Sequence, residues 1–585
     1  MDPQLEAVMK STCQLIDVSL HPCTSNEKRL EANIKLNEFS KTEIHTNPDL
    51  YTNMALLLVA QKIVDGGPFI NDYVREIYAH FGFKVLIELV KYNWYQFDQS
   101  RKDHLKQACI DWCTTRLFTL DGNTLFPSKI SVSSLVLNSC SQTIAEVFIR
   151  EWPNNWPNFL GDITRLNSLV TVYSILNISD YLHTLLIPAN PMRRKEIIKT
   201  LMQNKKTIYD YFHKCLSVQD SEDFHDLKLT FDYRQQLTVK ALETLESLFE
   251  WFYLDKEIIQ KVICVATNIP LNPDNRYQHK MKLHALRCAQ AIVKINNPNR
   301  IDDAAIISEI FYDCSPGRFL EYFACNVMGS FLRYRKTIEE DPELYEMFTV
   351  VLDIGVDTVC QVIALYNKDT TNSVTRANIK DNQTVWMGFV NFVFVCLKYN
   401  NVLFDETLLK FLLIYSKLRR EGEEGAKLVS PIDYTFDVNI PIELLTNIAL
   451  YKIEPKSRLE VSKREVRIGV NIDSYESYLS IFNINRNKFL TVVHEIVRHQ
   501  KDACQIFVLG TLQELLGPVE FSMLNHNWAP GIQSWNVVAA LLSVILPRIS
   551  PPPLVKLKVL TFYNLLIFFF TFSTLFRWKS SLSDS

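Results

Sequence analysis

At 585 residues the chain is too long for one compact core, so it must form several domains or an elongated repeat array. Its 47% hydrophobic and 22% charged residues are ordinary for a folded soluble protein. With 62 Lys and Arg against 65 Asp and Glu, a net charge of −3, it lacks the overall basic excess of a nucleic-acid-binding domain, which leaves room for a basic surface locally. Only 15 Gly, and long stretches free of Pro, favour helices over many short strands, and 35 Phe with 24 Tyr suit a core of helices stacked in layers.

Apolar stripes recur along the chain, separated by short polar or Pro-bearing turns near 47–49, 66–68, 121–127, 188–191, 268–274 and 296–302. In the segment His80-Phe-Gly-Phe-Lys-Val-Leu-Ile-Glu-Leu-Val-Lys-Tyr-Asn-Trp94, Phe83, Leu86, Ile87, Val90 and Trp94 form one buried helical stripe. Lys84, Glu88 and Lys91 share another face of the same helix. Further on, Ile144, Val147, Phe148 and Trp152 fall at helical spacing, and Pro153 stops that helix by removing an amide donor. Pro157 suits a first helical position, after which Phe159, Leu160, Ile163 and Leu166 make a new stripe. The stretch Arg150-Glu-Trp-Pro-Asn-Asn-Trp-Pro-Asn-Phe-Leu160 is thus a helix, a rigid aromatic-filled corner and a second helix, which fits a packed corner of any all-helical protein.

Arg193, Arg194, Lys195, Lys199, Lys205 and Lys206 put six positive charges within fourteen residues, offset by Glu196. Their helix also carries Ile197, Leu201, Ile208 and Phe212, so one face is buried and the charges face solvent. Two readings stand side by side: a solubilising face, or an electrostatic footprint for an RNA backbone or an acidic protein surface. Leu237, Ala241, Leu245, Leu248 and Phe252 mark one of the clearest helices. Beyond it the pattern is interrupted twice, by the charged loop Arg419-Arg-Glu-Gly-Glu-Glu-Gly-Ala-Lys427 and by weak alternation over 438–470.

The words of the corner carry more than its pattern. A Glu-Trp-Pro-x-x-Trp-Pro-x-Phe corner (Trp152, Pro153, Trp156, Pro157) resembles the exportin branch of the β-karyopherins, the nuclear transport receptors. The segment ending at Trp94 looks like the motif that closes the amino-terminal Ran-binding region of that family. Pro191-Met-Arg-Arg-Lys195 with Thr200-Leu-Met-Gln-Asn204, and Ala241-Leu-Glu-Thr-Leu245 with Trp251, are similar to the branch members that export double-stranded RNA; Phe482-Asn-Ile-Asn-Arg486 running into Val492-Val-His-Glu495 is a weaker echo. The resemblance is dense over about 75–255 and thin to about 545.

It implies an all-α fold, an α-solenoid of HEAT-like helix pairs, in which roughly a dozen repeats of about 40–47 residues would fit. The implied division is 1–110 for Ran-binding repeats, 111–260 for exportin-type repeats with the corner, 261–548 for further repeats, and 549–585 for an aberrant tail. The implied function is Ran-GTP-dependent export of hairpin RNA such as microRNA precursors, with shuttling between nucleus and cytoplasm through nucleoporin contacts, by a monomeric receptor. Lys84 and Lys91 are then candidates for touching Ran, and the 193–206 cluster for touching RNA. No cofactor is implied; GTP enters only as bound to Ran. A protein-cargo exportin, a HEAT scaffold without transport activity, and a tail-anchored adaptor are the alternatives.

The 13 Cys are scattered singly, the closest pair being Cys109 and Cys113, and no four-ligand zinc spacing occurs; the reading is reduced, buried thiols. His494-Glu495-Ile-Val-Arg-His499 imitates a zinc-protease helix, but five residues turn a helix by about 140°, so the two rings do not share a face. Glu421-Gly-Glu-Glu-Gly425 would repel phosphate, and no G-x-S-x-G elbow occurs, so an enzyme is not expected. The chain opens Met-Asp-Pro-Gln-Leu-Glu, without a charged-then-apolar leader. After Pro551-Pro-Pro comes a charge-free run, 559–576, followed by Arg577, Trp578 and Lys579. On composition it fits a tail anchor; set against the family resemblance it is an aberrant terminus and a membrane role is not expected.

Overall fold

The structure, a computed structural model, describes residues 2–20, 24–60, 72–115, 133–166, 168–183, 191–217, 231–269, 276–295, 301–311, 319–368, 392–393, 396, 405–413, 474–499 and 540. Two compact units are present, Met1–Ile310 and Phe311–Ser585. Among the described residues the secondary structure is helical and there is no strand.

The first unit runs through α1 (Pro3–Leu20), α2 (Asn26–Lys41), α3 (Pro48–Val59), α4 (Asp72–Asn93), α5 (Gln99–Thr115), α6 (Ser134–Glu151) and α7 (Phe159–Ile163). It continues with α8 (Ser168–His183), α9 (Pro191–Gln203), α10 (Lys205–Ser217), α11 (Phe231–Trp251), α12 (Lys256–Asn268), α13 (Arg276–Val293) and α14 (Ile301–Phe311). The starts follow local chemistry. Ser25 accepts the Lys28 amide, Asn47 accepts the Leu50 amide with Pro48 in the first turn, and Asp255 accepts the amides of Glu257 and Ile258. Each satisfies donors that have no partner inside the helix.

Packing is that of a two-layer solenoid. The hairpin partners α1 with α2, α3 with α4, α5 with α6, α10 with α11, and α12 with α13 lie against one another. The second members then form a continuous row, α2–α4–α6–α8–α11–α13, each packed on the next. A single pair cannot bury its apolar stripe, so the core exists only by stacking. The stripes read from the sequence are the ones buried: Phe83, Leu86, Ile87, Val90 and Trp94 on one side, and Leu237, Ala241, Leu245, Leu248 and Phe252 on another. Trp94 itself lies just past α4, in a 3-10 turn. Gly82 is fixed by close approach of α3, since a Cβ there would sit 2.8 Å from the Ala55 carbonyl oxygen.

The second unit contains α15 (Phe319–Tyr322), a π-helical turn (Phe323–Val327), α16 (Met328–Glu340), α17 (Pro342–Lys368) and α18 (Tyr475–His499). Phe331 packs edge-on against Phe348 at 5.8 Å, and α16 is kinked at Tyr334. Lys410 bridges to Asp357 of α17 at 2.6 Å. His494 and His499 both lie on α18. The loop 419–427, the alternation at 438–470 and the tail 549–585 lie outside the described residues, as does the run 559–576. Among the described residues no helix is long and apolar enough to cross a membrane.

Candidate recognition surface around the tryptophan-proline corner

The corner is built at the end of α6. Trp152 leaves the helix in an extended conformation while its amide still donates to the Phe148 carbonyl at 2.9 Å, and the peptide to Pro153 is cis. Its indole stacks on Phe148 with centroids 5.0 Å apart; Phe159 also packs on Phe148, tilted, at 4.5 Å, and Trp156 meets Phe159 edge-on at 4.9 Å. One expectation is corrected here. Pro157 does not open the next helix, which starts at Phe159. The Phe159 amide donates to the Trp156 carbonyl at 3.1 Å and the Trp156 indole donates to Asp162 at 2.9 Å, so Pro157 is held inside a turn.

The two sequence segments that carry the resemblance are joined by one buried carboxylate. The Trp94 indole donates to Glu151 Oε1 at 2.8 Å, and Lys106 Nζ lies 3.5 Å from the other oxygen of the same carboxylate. Lys106 also reaches the Asn155 carbonyl at 3.4 Å and Asp103 at 2.7 Å, and that bond holds the Asp103 carboxyl below its usual range. Glu151, Lys106 and Trp94 are all buried. A buried carboxylate is tolerated where hydrogen bonds and a counter-charge compensate its lost hydration. Beside it, Arg150 pairs with buried Glu146 at 2.7 Å and donates to the Lys91 carbonyl at the end of α4. Glu146 also accepts from the Tyr181 hydroxyl, whose pKa is pushed up first by burial and then by that carboxylate.

The candidate contact residues fall into two groups. Lys84 donates to Asn37 of α2 at 2.9 Å, and Lys91 stands 3.5 Å from Glu88 and 3.8 Å from Glu146 of α6; both are half-buried. The six-cation cluster is not one solvent-facing helix. Asn204 ends α9, its amide donating to the Thr200 and Leu201 carbonyls, and α10 starts afresh at Lys205. Arg193 turns inward to the carbonyls of Ile149, Arg150 and Trp152, and pairs with Glu196 at 2.7 Å. Arg194 donates to the Leu182 carbonyl at the end of α8, and Lys205 to the Leu254 carbonyl beyond α11. These three cap helix ends, where unpaired carbonyls and the dipole both favour a cation. Lys195, Lys199 and Lys206 are exposed. A cation on the buried register of a helix is the signal that separates the groups: Arg193, Ile197 and Leu201 are four residues apart.

Cys113 and Cys140 face each other at 3.4 Å as thiols, a pairing that the short Cys109 to Cys113 spacing did not suggest. Burial drives the Cys140 thiol well up. Among the described residues no group of three or more His, Cys, Asp or Glu is placed to hold a metal ion.

Comparison with known proteins falls on the same region. Residues 133–288 match the family described as Exportin 1-like protein, a span from the start of α6 into α13. The chain is 20% identical over 255 residues to Exportin-5 of Homo sapiens, which covers 40% of this chain and 19% of that protein. Exportin-5 of Mus musculus matches at 20% over 251 residues and Exportin-5 of Dictyostelium discoideum at 20% over 267 residues, or 43% of this chain and 21% of that one. The matched stretch therefore spans about a fifth of the length of these relatives. The chain carries an exportin-like region built as an all-α solenoid and is similar in part to exportin-5.

Proposed function

We propose that the chain acts as a nuclear export receptor that binds Ran in its GTP form and carries double-stranded or hairpin RNA, such as microRNA precursors, from nucleus to cytoplasm. The observation that carries the reading is the exportin-like match over 133–288, coincident with the stacked helix row and the corner. Ran would sit on the amino-terminal repeats, 1–110, with Lys84 and Lys91 at its border. Because Lys91 already faces Glu88 and Glu146, a Ran carboxylate would have to compete with them. RNA would meet exposed Lys195, Lys199 and Lys206, which offer charge without base readout, as the shallow groove of duplex RNA requires. Ran and cargo would bind cooperatively, a free energy shared between two ligands on one superhelix, and hydrolysis on Ran would release both. The receptor would work as a monomer, shuttle through the pore on nucleoporin contacts and hold no cofactor of its own.

Pull-down of the full chain with Ran loaded with GTP or with GDP tests this. Recovery of the GTP form alone is expected. Equal recovery of the two forms, or of neither, removes the transport reading.

A further inference from the structure

Lys91 is held less firmly than four other acid-paired lysines of the first unit. Lys35 meets Glu31 at 2.7 Å, Lys106 meets Asp103 at 2.7 Å, Lys240 meets Glu243 at 2.5 Å and Lys256 meets Glu309 at 2.8 Å. The Lys91 ammonium stands 3.5 Å from Glu88 and 3.8 Å from Glu146, both beyond the roughly 2.7–3.2 Å of a good hydrogen bond. Its side chain is 31% exposed, whereas that of Glu146 is 4% exposed. The reason lies on Glu146. Its Oε2 accepts from Arg150 of the same helix at 2.7 Å, and its Oε1, the oxygen 3.8 Å from Lys91, accepts from the Tyr181 hydroxyl of α8. Gln142 donates to that hydroxyl at 3.5 Å, so Tyr181 gives its own hydrogen to the carboxylate. Both oxygens are therefore satisfied, and the buried charge is balanced by Arg150, without Lys91.

We propose that Tyr181 is a positioning residue for Lys91: by occupying Glu146 Oε1 from α8, it leaves the α4 ammonium free to turn to a carboxylate of a protein bound at the amino-terminal repeats. The identity of that protein rests on the Ran reading; the position of Lys91 does not. Without the hydroxyl, Oε1 loses its hydrogen bond, and Lys91 is the donor placed to replace it. A buried carboxylate oxygen without a partner is costly, so the ammonium is drawn down onto it and away from solvent. Removing one hydroxyl on α8 thus withdraws a cation on α4, two helices along the row, and touches no residue that meets the partner. A residue that merely filled space would act with the opposite sign, because loosening the packing of α6 on α8 would expose Lys91 further.

The test labels the amines of the full chain with a succinimidyl acetate and follows Lys91 against Lys84 by peptide mass spectrometry. Tyr181→Phe should slow the labelling of Lys91 about threefold and leave Lys84 unchanged. Adding Glu146→Gln removes the charge that draws the ammonium in and should restore the parent rate. In the same assay series Ran loaded with GTP should bind Tyr181→Phe about threefold more weakly than the parent. It should bind Lys91→Met no better than Lys91→Met with Tyr181→Phe, because the hydroxyl acts through Lys91. Labelling of Lys91 that is unchanged or faster in Tyr181→Phe overturns the proposal whatever Ran does, and so does an additive loss of Ran affinity in the double variant. Labelling that is slowed by Tyr181→Phe and restored by Glu146→Gln, in a chain that recovers neither form of Ran, upholds the positioning of Lys91 and removes the transport reading alone.

Discussion

Trp94→Phe is the sharpest probe of how the two exportin-like segments are held together. The indole of Trp94 is 1% exposed and its Nε1–H donates to Glu151, itself 2% exposed. Phenylalanine keeps a ring for Phe97, which meets Trp94 edge-on at 6.2 Å, and for Lys102, whose ammonium lies 5.6 Å from it. The change therefore removes mainly one donor to a buried carboxylate. A hydrogen bond to a charged group contributes about 1.5–3 kcal/mol, and the orphaned oxygen adds a desolvation cost, so a loss of about 2–3 kcal/mol is expected. Glu151→Ala is costly for a second reason, because it also strips Lys106 of one of its two carboxylates. The double variant isolates the shared bond, and the coupling should be about 1–2 kcal/mol. Urea denaturation of the full chain followed by circular dichroism measures all four corners of the cycle. Coupling below about 0.5 kcal/mol, or a Trp94→Phe variant as stable as the parent, would refute the claim that Glu151 ties α4 to the corner.

The divided cation cluster gives a paired test. Arg193→Gln should cost about 2 kcal/mol in the same denaturation assay and leave the salt dependence of RNA binding intact, because it opens the end of α6. Lys195→Gln, Lys199→Gln and Lys206→Gln together should leave stability within about 0.5 kcal/mol and flatten the slope of log affinity against log salt by up to about two to three; the opposite assignment would mean that the inward and outward groups had been exchanged. Lys282 predicts a pH effect. It is fully buried, donates to the carbonyls of Ala266 and Ile269, and burial pushes its amine down to about 7 from 10.5. Between those two values the unfolded chain holds a proton that the folded chain lacks, so stability falls as pH drops through that window, by up to about 1.4 kcal/mol per pH unit, and is level below it. Lys282→Met should flatten the profile between pH 7 and 10, and parallel profiles would show that the amine stays charged in the fold.

The helix class and the buried stripes were legible in the sequence because apolar spacing reports directly on stacking. Leu237 through Phe252 needed no more than a count of threes and fours. Pro157 was misread because proline is equally suited to a tight turn and a first helical turn, and the choice was made by Trp156, whose indole bond to Asp162 lies outside any local rule. The charge run at 193–206 was legible as charge but not as direction. Arg193 shares the register of Ile197 and Leu201, and that register, not its charge, decides where it points. Glu151 gave the same kind of signal: an acid three residues after Phe148 on the buried side must have partners, though the sequence does not say that they are Trp94 and Lys106.

These placements change what the net charge of −3 means for partners. Arg150, Arg193, Arg194 and Lys205 each donate to a carbonyl at or near the end of a neighbouring helix, so their charge is tied to the solenoid's own dipoles. Their carbonyl partners carry partial charge and do not enter the formal count, so the positive field available to a polyanion is weaker than 62 basic residues suggest. Exposed cations that do not cap a helix end in this way include Lys195, Lys199 and Lys206 on α9 and α10, and Lys280 and Lys294 at α13. α9 and α10 contribute no member to the row that ends at α13, so no single helix row carries both groups of lysines.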